Sequence, residues 1–130
     1  MTRRWTPVTL GSEFPAPVGA YSPAVRAGDF LYISGQVPRD LKTGATIGST
    51  VTEQTRKVIE NLSTALAAGG GSLEDVVSVV VYLDSPDLWT EFNNAYRDLM
   101  PKPYPTRTAI GVSLRGFLVE ISAVAYLGKA

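Results

Sequence analysis

Two side chains in this sequence have the type and setting for chemistry. Glu120 sits mid-strand in F-L-V-E-I-S-A-V-A-Y-L, flanked by large apolar residues. A carboxylate in that setting is partly buried and needs a partner. It is either an acid–base group in a cleft or a surface position paired with a cation. Arg107 follows Tyr104-Pro105-Thr106 and opens R-T-A-I-G-V. The period of two puts Arg107, Ala109 and Gly111 on one face of that strand. The two small residues leave room beside a guanidinium, the side chain best suited to gripping a carboxylate with two parallel hydrogen bonds. The plainer alternative is a solvated arginine at a strand end.

Other positions are weaker candidates. Ser34-Gly35-Gln36 ends a strand with small and polar groups, which reads as a turn or as a polar lining. Tyr21-Ser22 lies in a proline-rich loop, where an ordered Tyr is a wall, a hydroxyl donor or loop packing. Asn93 falls between Phe92 and Tyr96 at the margin of a helical stripe, placed to bond a ligand or a strand end. Gly69-Gly70-Gly71 does not read as a phosphate loop, because it follows a helix and no Lys-Ser/Thr pair comes after it.

Composition restricts what these residues have for company. The chain has no histidine and no cysteine. That excludes a Ser-His-Asp triad, His- or thiolate-ligated metals, disulfides and Cys nucleophiles. Acid–base work falls to carboxylates, Tyr, Lys or water, and neither a metal nor a cofactor is expected. Twelve Lys and Arg balance twelve Asp and Glu, so nothing attracts nucleic acid or an anionic membrane globally. No apolar run is long enough to span a membrane, and Met1-Thr2-Arg3-Arg4-Trp5 leads into no apolar h-region. The expectation is a cytoplasmic protein. Its 130 residues read as one domain, small enough to favour oligomerisation.

The elements that must position these residues read β-β-β-α-β-α-β-β. Trp5–Leu10 forms a first strand and Gly11–Pro23 an extended loop. Ala24–Ala27 and Phe30–Ser34 form a hairpin across Gly28-Asp29, a loop suited to a type II′ turn. Turn signals fill Gln36–Ser49. Thr50-Val51-Thr52-Glu53 is a capping box that opens a helix, with Val51, Val58, Leu62 and Leu66 on its apolar stripe, and Gly69 to Gly71 end it. Val76–Leu83 is a β-branched run, expected to be a strand covered on both faces. Ser85-Pro86 opens a second helix with a buried stripe of Trp89, Phe92, Tyr96 and Leu99, and the prolines at 101, 103 and 105 stop it. Thr106–Val112 and Phe117–Leu127 are the last strands. In the latter, Phe117, Val119, Ile121, Ala123 and Ala125 form an apolar face for the helices. The mixed face, which carries Glu120 and Ser122, is left for a subunit contact or ligand cleft. This pattern fits an α+β sandwich, one mixed sheet with both helices on one side, better than a doubly wound fold.

The sequence also resembles the RidA/YjgF family. The likeness rests on G-A-Y-S-P-A-V at 19–25, L-Y-I-S-G-Q at 31–36, E-Q-T-R-K-V-I-E-N-L at 53–62, L-E-D-V-V at 73–77, F-N-N-A-Y at 92–96, P-T-R-T at 105–108 and V-E-I at 119–121. It covers nearly the whole chain in order. The resemblance implies a chorismate-mutase-like fold of about six strands and two helices, assembled as a homotrimer with ligand clefts between subunits. It further implies an enamine/imine deaminase that hydrolyses 2-aminoacrylate-type 2-imino acids to 2-keto acids and ammonia. It carries the carboxylate-binding role to Arg107 and the water-positioning role to Glu120. Tyr21, Ser34, Gly35 and Asn93 become cleft-lining positions, and Ala109 contributes backbone. Ser122 stands where many members have a second acid, and the turn S-L-R-G lacks their usual Leu-Pro-Lys-Gly. Two other readings share the fold: a non-catalytic binder of 2-keto acids, and a catabolic deaminase acting on an aminomuconate-like substrate. A ribonuclease, a label often attached to the family, fits poorly with a chain that has no net positive charge and no histidine.

Overall fold

A computed structural model describes residues 2–12 and 14–128; Met1, which opens the N-terminal stretch read as no signal peptide, and Glu13 of the expected loop lie outside them. Six strands, β1 (Thr6–Val8), β2 (Ala24–Ala27), β3 (Phe30–Gln36), β4 (Val76–Leu83), β5 (Thr106–Gly111) and β6 (Val119–Tyr126), accompany two helices, α1 (Val51–Ala68) and α2 (Trp89–Leu99). The strands make one sheet in the order β1-β2-β3-β6-β4-β5. Only β4 and β5 run parallel, joined by the crossover through α2; every other pair is antiparallel. Both helices lie over one face, as expected of an α+β sandwich.

Local chemistry explains the elements. Thr50 caps α1: its hydroxyl accepts from the Glu53 amide at 3.1 Å, and the Glu53 carboxylate accepts from the Thr50 amide at 3.1 Å. Val58, Leu62 and Leu66 then fall on the buried stripe. Burial of each stabilises the fold by about 1.5–3 kcal/mol. At the far end of α1 it is Gly70, not Gly69, that takes positive φ, at 90°. In the β2–β3 hairpin Gly28 has φ 58° while Asp29 stays negative, the sign pattern of a type II′ turn.

Alternation along β6 sorts its residues as expected from Val119 onward. Val119, Ile121, Ala123 and Ala125 are buried under the helices beside Val79, Val81 and Leu83 of β4. Phe117 precedes the strand and is only half-buried. The opposite face, with Tyr32, Ser78, Val80, Tyr82, Ser122 and Val124, is not covered by any described element. The expectation that β4 is covered on both faces therefore fails within one chain. Its β-branched run is buried on the helix side and open on the other.

Strand ends and the second helix also differ from expectation. The first strand is confined to Thr6–Val8, because the chain turns toward the proline-rich loop. β5 stops at Gly111, and β6 at Tyr126. Ser85 caps a single 3-10 turn, Pro86–Leu88, and α2 begins only at Trp89. That turn rotates Trp89 off the buried stripe, so it stays 45% exposed. Phe92, Ala95 and Tyr96 are the residues α2 buries.

Candidate functional site

The register of the sheet decides where the two candidate residues go. Arg107 stands opposite Val79 on β4, which in turn stands opposite Ala123 of β6. Partners across a sheet share a face, so Arg107 lies on the helix side. Glu120 stands opposite Tyr82, three residues further along β4, and belongs to the open face. The structure does not bring them together in one chain. They line separate clefts on opposite sides of the sheet.

The Arg107 cleft, of about 330 Å³, is lined by Asn93, Tyr96, Arg97, Tyr104, Pro105 and Arg107. Because β5 is an edge strand beneath α2, the guanidinium emerges among the rings of that helix. Its central carbon is 4.8 Å from the Tyr96 ring centroid, 5.6 Å from Trp89 and 5.8 Å from Phe92. Stacking of this kind holds a guanidinium by attraction to the ring faces while leaving its N–H groups free. No described carboxylate pairs with Arg107, and no described acceptor takes its hydrogen bonds. The Tyr96 hydroxyl, in a residue 3% exposed, is buried with no described partner. Burial pushes the Tyr96 phenol up from its ordinary value of 10.0, partly opposed by the Arg107 charge. Tyr104 braces the floor, donating from its hydroxyl to the Arg97 carbonyl at 3.1 Å.

The Glu120 cleft, of about 400 Å³, gathers Tyr21, Ser34, Gly35 and Glu120 with Gln36, Arg39 and Phe117. Backbone irregularity builds it. Ile33 pairs with Ala123 but Gln36 pairs with Ile121, so Ser34 and Gly35 together oppose a single β6 residue. This bulge tilts β3 beside Glu120. Glycine at 35 leaves the Glu120 carboxylate its place, because a Cβ added at this position would fall on that carboxylate and make it shift. Ser34 donates its hydroxyl to the Ser22 carbonyl at 2.6 Å, and its amide donates to the Pro23 carbonyl at 3.0 Å. It thereby ties the Tyr21 loop to the cleft. No described residue bonds to the Glu120 carboxylate, contrary to the expectation of a partner. Burial raises its carboxyl above the ordinary 4.5.

Two buried amides on α1 fix the loops around this cleft, and sequence reasoning missed both. Asn61 donates to the carbonyls of Val37 at 3.1 Å and Arg39 at 2.9 Å. Gln54 donates to the Gly48 carbonyl at 3.0 Å and accepts from the Leu118 amide at 2.7 Å, just before Glu120. A polar residue inside an apolar helical stripe was the available signal. Arg39 and Phe117 were missed as lining residues too. Ala109 shares the Arg107 face of β5, half-buried opposite Val81, but lines neither cleft. Among the described residues there is no His, Cys, Asp and Glu cluster able to hold a metal. No helix there is long and apolar enough to cross a membrane.

Comparison with known proteins completes the description. The family described as Endoribonuclease L-PSP matches residues 11–127. A RutC family protein of Pyrococcus horikoshii is 42% identical over 121 residues, 92% of this chain and 96% of that one. The crystal structure of RidA from an Antarctic Psychrobacter superposes with a TM-score of 0.81 at 35% identity, covering 88% of this chain and 94% of that one. A 2-iminobutanoate/2-iminopropanoate deaminase of Dermatophagoides farinae is 26% identical over 99 residues, 76% of this chain and 77% of that one.

Proposed function

The chain belongs to the Endoribonuclease L-PSP family, also called RidA/YjgF, and we propose that it is an enamine/imine deaminase that turns small 2-imino acids into 2-keto acids and ammonia. The observation that carries this reading is Arg107, a cation held on aromatic faces with every N–H left unpaired by the described residues. Such a group is prepared for a carboxylate. The D. farinae relative bears a deaminase name, which supports the same class of substrate.

The placement of Arg107 and Glu120 in two separate clefts supports a working site shared between copies. We propose a homotrimer in which the Arg107 cleft of one subunit faces the Glu120 cleft of its neighbour. The open sheet face supports this, since Tyr32, Ile110 and Tyr126 are large apolar side chains left 40–48% exposed. Patches of that kind mark contact surfaces.

In the shared cleft Arg107 clamps the substrate carboxylate. Glu120 holds a water beside the imine carbon. As the water oxygen bonds to that carbon, the C=N π pair becomes the lone pair of an amine, and Glu120 accepts the water proton and passes it to nitrogen. The carbinolamine hydroxyl then gives its proton, by way of Glu120, to the nitrogen as the C–N bond breaks with its electron pair leaving on nitrogen, giving the keto acid and ammonia. A carboxyl raised by burial is a better proton acceptor than an exposed one, which suits this acid–base exchange. Tyr21 closes the cleft. Imine hydrolysis is facile, so positioning supplies most of what the reaction needs.

The test is a panel of imines generated in place by amino acid oxidases, scored for accelerated keto-acid release, with solution mass measured alongside. Acceleration by a trimer is expected. No acceleration of any imine overturns the enzyme and leaves a keto-acid binder. A monomer at micromolar concentration overturns the shared cleft.

A further inference from the structure

Arg39 is the one cationic side chain among the described residues lining the Glu120 cleft, and nothing above uses it. It also lines the small adjoining cavity beneath Tyr21, Ser34 and Gly35. Its backbone is fixed on both sides. The Arg39 amide donates to the Val37 carbonyl at 2.8 Å, its carbonyl accepts from Asn61 at 2.9 Å, and it bridges to Thr46. Asn61 is itself 1% exposed and sits in the middle of α1. A loop residue anchored in this way has its side chain launched from a set position.

The Arg39 guanidinium has no described carboxylate within salt-bridge distance. Glu120 does not neutralise it. Only burial acts on the Glu120 carboxyl, with no attraction from a cation. The cleft therefore holds a half-buried cation and a carboxyl that are not spent on each other. The assembled site would then contain Arg39 as well as Arg107, and the carboxylate of a simple 2-imino acid occupies only Arg107; Arg97, at the rim of the Arg107 cleft, is exposed and donates to Asn94 at 3.3 Å.

We propose that Arg39 binds a second carboxylate on the substrate side chain, so that the preferred substrates are dicarboxylic 2-imino acids of the kind formed by oxidation of acidic amino acids. This rests on the deaminase reading and adds its substrate class. Arg39 is a specificity residue that takes no part in the proton transfers. Arg107 and Arg39 would each meet one carboxylate, and Glu120 remains free to handle water. Arginine suits the task because its planar fork binds a carboxylate with two parallel hydrogen bonds.

The experiment compares the wild-type protein with Arg39→Met, which keeps length and loses charge. Imines are made from alanine, aspartate and glutamate by the matching oxidases, and kcat/KM is measured for each. The expected result is a wild-type preference for the two dicarboxylic imines. In Arg39→Met the ratio of kcat/KM for dicarboxylic over alanine-derived imine falls at least tenfold, mainly through KM, and Arg39→Lys restores part of it. An unchanged ratio overturns the proposal. Calorimetry with 2-oxoglutarate and pyruvate keeps the two readings separable. If no imine is hydrolysed, the deaminase falls, while Arg39 is upheld by a tenfold preference for 2-oxoglutarate that Arg39→Met abolishes. Equal affinities, or no binding of either acid, overturn Arg39 as well.

Discussion

The two clefts are built by opposite means. The Arg107 cleft is made of side chains: a cation from a regular edge strand, set against three aromatic rings of one helix. The Glu120 cleft is made of backbone: a bulge, a glycine and two buried amides that hold flanking loops. A cation tolerates stacking because ring faces attract it from several directions. A carboxylate has no such option, and here it is kept half-buried by removing the neighbouring Cβ. On the proposed reading each cleft supplies half of the site, and the sheet's thickness separates them within one chain. In the homotrimer proposed above, unlike surfaces of two copies would meet, the head-to-tail arrangement that closes into a ring.

The largest effect that tests this contrast is loss of the clamp. Arg107→Ala removes charged hydrogen bonds worth about 1.5–3 kcal/mol each, plus the positioning they provide. Imine hydrolysis should fall on the order of 100-fold or more, and Arg107→Lys should not rescue it, since an ammonium cannot form the paired bonds. Near-normal turnover in a stable Arg107→Ala protein would remove the clamp from the mechanism. Joint assembly then asks whether the halves belong to different subunits. Arg107→Ala and Glu120→Gln chains, each inactive alone, are unfolded and refolded together in equal amounts. Random mixing in a ring leaves about a quarter of the clefts with both groups intact, and that share of wild-type activity should return. If activity fails to return although mixed trimers form, the two residues do not meet across an interface.

Gly35→Ala probes the backbone-built side at smaller cost. Its Cβ displaces the Glu120 carboxylate without touching the helix-side core. Turnover should drop roughly tenfold or more while KM moves little, as for a general base pushed out of line. A change confined to KM would mean that the glycine serves substrate entry instead.

This contrast also explains what could be read in the chain beforehand. Arg107, Glu120, the capping box at Thr50 and the two faces of β6 were legible because each depends on spacing within one segment. The bulge at Ser34-Gly35 was not, since it exists only in the pairing of β3 with β6, which lie far apart in sequence. The roles of Asn61 and Gln54 were hidden for the same reason. Trp89 was misassigned because a 3-10 turn, not an α-turn, follows Ser85 and resets the helical phase. The separation of Arg107 from Glu120 required the register of two further strand pairs. Local chemistry was visible, and the face each residue shows was not.

The acid side makes a pH prediction with a definite sign. Burial lifts the Glu120 carboxyl above its ordinary 4.5, so the folded state disfavours its charged form. The stability it contributes is complete below that ordinary value and is lost as pH rises through the folded value. Glu120→Gln, always neutral, should therefore melt above the wild type at about pH 7, and the gap should close at about pH 4 and below. A gap independent of pH would mean that packing, not ionisation, causes it.

The smallest effect belongs to the cation side and tests how complete that cleft is within one chain. The Tyr96 hydroxyl is buried and meets no described partner. Tyr96→Phe removes a desolvated group that returns nothing, so stability should hold or rise by less than about 1 kcal/mol, whereas the ring, which Arg107 stacks on, is retained. A loss of about 1 kcal/mol or more in the assembled protein would reveal a bond donated to a neighbouring copy. The Arg107 cleft would then lean on the second subunit for its own structure as well as for its chemistry, and the contrast between a side-chain cleft and a backbone cleft would narrow to the acid side alone.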